Sequence, residues 1–278
     1  MTGVQTCALP IFLKVSKSGF YAWLKRLTSP RAKQNATLLE EIKGVHNASR
    51  ESYGSPRVTA ALRRSGSRVS RHRVARLMRG AELRGKSHRR GRVSTTNSKH
   101  SEPRNVNLLE RDFAASKADQ KWLSDITYLP TTEGWLYLAV VLDVFSRRIV
   151  GWAFSSSLES NLVVSAFEMA CQSRKPSEQL LFHSDQGVQY ASTEFRTALS
   201  RLEVVQSMSR KGDCWDNSPC ESFFSTLKLE LDLRKSRGTK LETQAIVFEW
   251  MEVFYNRQRL HSSLDFQSPA EFENSRAA

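Results

Sequence analysis

The sequence predicts an α/β protein: a mixed sheet flanked by helices, preceded by a small all-α module with a helix-turn-helix outline. Three observations carry that prediction. Apolar residues before position 118 recur at helical spacing, whereas after it three strand-like runs lead into alternating helices and strands. Basic charge is concentrated in the first part: residues 1–117 hold 25 Lys+Arg against 7 Asp+Glu, and residues 118–278 hold 17 against 21. Net +18 against net −4 favours a polyanionic partner for the first part, because covering phosphates releases condensed counterions.

Residues 1–13 fit poorly with the amphipathic segment after them and are expected to be a non-native or disordered lead-in. Over 14–95 a basic helical module is expected. Phe20, Trp23, Leu24 and Leu27 share one face of a short helix over 18–27, and Leu38, Leu39, Ile42 and Val45 one face of a helix over 35–48. Ser55-Pro56 starts a third helix that runs to Gly66, and Ser70 caps a fourth, in which Val74, Leu77 and Met78 are ringed by arginines. Two short helices about a glycine turn, with a positive outer surface, give the helix-turn-helix outline. Arg57, Arg63, Arg64, Arg71 and Arg73 are its expected DNA contacts. The chain over 83–107 lacks apolar periodicity and is expected to be a flexible basic linker; as domains, a basic linker over 96–117 leads into a core over 118–235, with a helical extension over 236–278.

Within the core, strands are expected over 120–129, 135–145 and 148–154, the last two closed by the Phe145–Arg148 turn. A helix over 160–172, a strand over 179–184, a helix over 192–202, a short strand over 204–208 and helices over 218–233 and 241–259 complete the pattern. Cys7, Cys171, Cys214 and Cys220 form no C-x-x-C pair and have no histidines at ligand spacing, so neither a disulfide scaffold nor a zinc site is indicated, and a reducing cytoplasm fits. No apolar run reaches the roughly 18 residues that span a bilayer, so no membrane partner is expected.

Three acids stand out. Asp125 lies inside a strand, where an unpaired carboxylate is costly; Asp185 ends an apolar strand; and Glu221 opens a helix, with Ser225 and Lys228 on its side. Between Asp185 and Glu221 lie 35 residues (221 − 185 − 1). Carboxylates on two strands and a helix can converge on two divalent cations for phosphoryl transfer. His183 reads either as an orienting group or as a structural histidine. Asp143 reads as closing its hairpin through Arg147 or Arg148, and Asp213 and Asp216 as caps or loop formers rather than ligands. Neither a P-loop nor a Gly-x-Ser-x-Gly elbow occurs.

The motifs Ser18-Gly-Phe-Tyr-Ala-Trp23, Tyr53-Gly-Ser-Pro-Arg57, Trp122-Leu-Ser-Asp-Ile-Thr-Tyr128, His183-Ser-Asp-Gln-Gly-Val-Gln-Tyr190 and Glu221-Ser-Phe-Phe-Ser-Thr-Leu-Lys228 together resemble the DDE transposases of the family founded on insertion sequence three. Tyr255-Asn256, Arg259, His261-Ser262, Leu264 and Ser268-Pro269 resemble that family's closing signature. The resemblance implies a ribonuclease-H-like core similar to retroviral integrases. It also implies that Asp125, Asp185 and Glu221 bind two Mg2+ ions, for which Mn2+ can substitute, and that Lys228 positions DNA. The implied partners are element ends and target DNA, further copies of the chain, and an upstream-frame helix-turn-helix subunit, working in the bacterial cytoplasm at the nucleoid. In-line displacement at phosphorus, first by water and then by a DNA 3′ hydroxyl, would cut and join at one site. The competing readings are a stand-alone nuclease of the same fold and an inactive DNA-binding regulator.

Overall fold

A computed structural model describes residues 15–87, 105–176, 179–210, 214–233 and 238–276. The lead-in over 1–13, most of the basic chain between module and core, and Asp213 lie outside the described residues. Four helices come first: α1 (Lys17–Leu24), α2 (Pro30–Ala48), α3 (Ser55–Arg64) and α4 (Arg71–Gly80). Local chemistry starts them. Ser16, Ser29 and Ser70 each accept a backbone N–H three residues on, and Pro30 takes the first position of α2, which therefore begins five residues before the expected start. The expected partnership of α3 and α4 holds, with Val58 and Leu62 meeting Val74 and Met78 in the core. The helix expected over 18–27 ends at Leu24, and its apolar face is not covered by any described residue: Trp23 and Leu24 are 64% and 54% exposed, and Leu27, beyond the helix, 89%.

The core continues as β1 (Lys121–Thr131), β2 (Gly134–Asp143), β3 (Ile149–Ser155), α5 (Ser160–Arg174), β4 (Leu181–Ser184), α6 (Val188–Ala191), α7 (Thr193–Ser200) and β5 (Val205–Met208). One sheet results, in the order β3-β2-β1-β4-β5. The first three strands pair antiparallel and the last two join in parallel, which is the mixed, ribonuclease-H-like arrangement expected. Gly134, at φ +94°, completes the β1–β2 turn. Gly151 on β3 is needed for a different reason: a Cβ there would sit 2.2 Å from the carbonyl oxygen of Ala166 on α5.

Each face of the sheet has its own core. On one side Trp122, Ala139, Val141 and Phe182 pack with Phe167 of α5 and Phe195 of α7. On the other, Leu123, Leu129, Leu138 and Val140 meet α8 (Ser218–Glu230) and α9 (Lys240–Glu249). That second core runs on without a break into Val58, Leu62, Val74 and Met78, so the amino-terminal helices and the sheet bury one apolar surface together.

The helix expected over 241–259 differs most from the structure. After Glu249 it widens into a π-helical segment, Trp250–Tyr255, which turns Trp250, Met251, Phe254 and Tyr255 inward together. Asn256 then copies a strand partner: its Nδ2 donates to the Ile149 carbonyl and its Oδ1 accepts from the Ile149 N–H, each at 3.0 Å. The last helix is α10 (Pro269–Arg276). Asp143 does close the hairpin, but not through Arg147 or Arg148 side chains. Its carboxylate accepts the N–H groups of Asp119 and Phe145, both at 2.8 Å, while Arg148 pairs with Glu273.

Candidate active site

Strands β1 and β4 run side by side, with Trp122 beside Phe182 and Leu123 beside His183. Continuing that register two residues sets Asp185 beside Asp125, where β4 has just ended. Matched positions on neighbouring strands point to one face. Leu123 and Leu129 belong to the core beneath α8, so Asp125, in step with them, faces that helix. Glu221 occupies the first turn of α8 and is exposed, as is Ser225; Lys228 is half-buried, and Phe223, Phe224 and Leu227 anchor the helix.

The charges of these groups act on one another. Desolvation and then the Asp185 charge hold the Asp125 carboxyl well above the usual carboxylate range; Glu221 adds to this, while the Ile126 N–H and Lys228 oppose it. That N–H donates to Asp125 Oδ1 at 2.8 Å, and Asp185 Oδ1 accepts from Gly187 N at 2.9 Å. Among the described residues no three His, Cys, Asp or Glu side chains approach closely enough to hold an ion as they stand. The sheet pairs the two aspartates, and α8 brings Glu221 near enough for its charge to act on Asp125.

Several surrounding residues were not anticipated. Tyr190, fully buried, shares a 2.8 Å hydrogen bond with Ser124, and Ser124 donates to the Val140 carbonyl at 2.8 Å, which fixes β1 next to Asp125. Asn217 makes no helix cap; its Nδ2 donates to the Ser124 carbonyl at 3.0 Å and ties the start of α8 to the strand. Only the proximity of both residues to the acids in sequence hinted at this. Cys220 lies buried under the acids, and burial raises its thiol pKa far above normal.

His183 resolves as structural. Its ring nitrogens meet Ser207 Oγ at 2.8 Å and Ser209 Oγ at 3.0 Å, and burial lowers its pKa to about 4. Asp216 is a loop former: its carboxylate takes the Arg210 and Arg111 guanidiniums and Asn107 Nδ2, and the hydrogen bonds from Arg210 lead in holding it far below the usual range.

The five arginines expected at DNA divide. Arg71 is exposed on α4, and Arg63, exposed, donates to the Val69 carbonyl. Arg73 is turned toward Asn35. Arg57, half-buried rather than on the outer surface as expected, donates to Leu260 O, while Arg64, seven residues on along the same helix face, stays exposed and bonds Phe266 O and Glu271.

Three family models match the chain: two described as integrase core domain, over residues 115–214 and 202–269, and one described as HTH-like domain over residues 33–91. Transposase InsF for insertion sequence IS3A of Escherichia coli K12 is 39% identical over 268 residues, covering 96% of this chain and 93% of its own length. The insertion element IS600 uncharacterized 31 kDa protein of Shigella sonnei is 42% identical over 258 residues, covering 93% and 94%. The solved catalytic core domain of HTLV-2 integrase in complex with magnesium aligns at 15% identity and a TM-score of 0.45, over 58% of this chain and 99% of that one.

Proposed function

The chain belongs to the IS3 transposase family, and we propose that it cuts the ends of its insertion element and joins them to target DNA by in-line phosphoryl transfer at Asp125, Asp185 and Glu221. The observation that carries this reading is the register of β1 and β4, which sets Asp185 beside Asp125 on the face where α8 brings Glu221 and Lys228. Carboxylates gathered where desolvation and mutual repulsion raise Asp125 make a hard-oxygen donor set, and divalent cations would relieve that repulsion. Asp125, Asp185 and Glu221 would hold two Mg2+ ions, or Mn2+ in their place. When bound, such a pair supplies Lewis-acid stabilisation to the attacking and leaving oxygens.

The protein's own part is placement. Ser124, held by Tyr190 and Val140, keeps β1 rigid beside Asp125, and the Gly187 N–H fixes the orientation of Asp185. Lys228 meets a phosphate oxygen of the strand being cut. Water is the first nucleophile and the freed DNA 3′ hydroxyl the second, with no covalent link to the protein. Two ends must be held together, which calls for several copies of the chain, working with the upstream-frame helix-turn-helix subunit.

Strand transfer of a duplex carrying the element's terminal repeats, with that subunit supplied, tests the reading. Asp185→Asn is expected to abolish cleavage and joining in Mg2+ and to leave DNA binding intact. Unchanged strand transfer by this variant would overturn the assignment, and cleavage without joining by the natural chain would make it a nuclease.

A further inference from the structure

A second charged site lies across α8 from the acids. A cavity of about 410 Å³ opens where the amino-terminal helices, the sheet and the carboxyl-terminal chain meet, and Arg57, Arg147 and Arg259, one from each of these parts, line it with His261. Exposed Ser222 of α8, with Ser262 and Ser263, forms its mouth; Leu142, Phe223 and Tyr255 close its floor. No carboxylate lines it among the described residues.

The charges inside are not balanced. Arg259 is committed to Glu230 at 2.7 Å, and Arg57 Nε donates to the Leu260 carbonyl at 2.9 Å. The half-buried Arg147 guanidinium has no hydrogen-bond or ion-pair partner among the described residues. Asp143, the nearest acid on its own hairpin, is taken up by the Asp119 and Phe145 N–H groups. His261 is 9% exposed, and its Nε2 is buried without a partner. After burial, repulsion by Arg259, Arg57 and Arg147 in turn holds that histidine's pKa far below normal, and the same three cations line the cavity with it. A half-buried cation without a counter-charge beside a buried ring nitrogen left unsatisfied is costly, and an anion is what would satisfy both.

We propose that this cavity seats a backbone phosphate of the DNA strand engaged at the acids. The site resting on α8 argues for a strand phosphate over a free anion: Ser218 and Ser222, which line the cavity, flank Glu221 on the same helix turn. A neutral His261 offers an N–H donor without adding charge, and guanidinium groups make charge-assisted bonds to phosphate oxygens. This assignment rests on the DNA-transfer reading for the identity of its ligand.

Binding of the full chain to a terminal-repeat duplex, measured by fluorescence anisotropy over a salt series without divalent ions, tests it apart from catalysis. Arg147→Gln removes the cation that has no partner to lose, so its thermal midpoint is expected to match the natural chain. Its DNA affinity is expected to fall about tenfold. The slope of log affinity against log salt should also shrink by about 1. Arg147→Lys should recover most of the affinity, and Ser262→Asp, which sets a carboxylate at the mouth, should weaken binding without touching a buried bond. A parallel arm compares melting in inorganic phosphate and chloride at equal ionic strength. If Arg147→Gln and Ser262→Asp both bind DNA as the natural chain does, the proposal fails. If in addition phosphate raises the melting point of the natural chain alone, the cavity holds a free phosphate and not DNA. Failure of Asp185→Asn to stop strand transfer would leave this result standing.

Discussion

Two acid-bearing regions meet α8, and they are built on opposite charge arithmetic. At Asp125 and Asp185 the sheet sets like charges side by side, and the cost appears as a carboxyl pKa far above normal. At Asp216, in the 3-10 turn Cys214–Asn217 that leads into the same helix, a fully buried carboxylate is met by two guanidiniums and is held far below normal. Burial alone does not distinguish a site from a strut; the sign of the imbalance does. An acid that the fold has already neutralised has little left to offer a cation, whereas one repelled by its neighbours gains from binding one.

That contrast predicts effects of different kind and size. Asp125→Asn should cost roughly 10³-fold or more in single-turnover strand transfer, about 4 kcal/mol of barrier, while the thermal midpoint holds or rises because repulsion is relieved. A variant that melted much earlier would instead make Asp125 structural. Asp216→Asn should do the reverse, lowering stability in denaturant titration by about 1–3 kcal/mol, discounted for the half-exposed arginines, with activity per folded molecule little changed. Gly187→Ala should lie between. The backbone there, φ −66°, accepts alanine, but the new Cβ would stand 2.9 Å from Asp185 Oδ1. Transfer should fall up to about tenfold with no loss in melting temperature.

A last difference concerns pH. Burial raises the Asp143 pKa from 3.8 to about 7, so the folded state keeps a proton that the unfolded chain gives up near 3.8. The stability this provides is complete below that lower value and drains away as pH rises through about 7. Asp143→Asn should flatten the stability–pH profile across that window, and an unaltered slope would assign the dependence to other groups.

Much of this was readable in the chain because it is written in local periodicity. Strand alternation put Asp125 in step with Leu123 and Leu129, and the helical spacing of Phe223 and Leu227 fixed which side of α8 is anchored. What escaped depended on partners far away in sequence. Arg57 looked outward-facing because the chain at Leu260 that takes its Nε lies about two hundred residues on, as do the partners of exposed Arg64, Phe266 and Glu271. The π-helical turn at Trp250–Tyr255 leaves the same apolar spacing as an ordinary helix, and the bond from Asn217 to Ser124 joins positions 93 residues apart. The cavity arginines come from three distant stretches, so no motif joins them.

The unbroken core beneath α8 has a mechanical consequence. Val58 and Met78 lose water together with Leu129 and Trp250, so the amino-terminal helices have no private reserve of stability to draw on. Melting should proceed in a single cooperative step, and a tug on whatever the front helices grip would be felt as strain in the sheet that carries the aspartates.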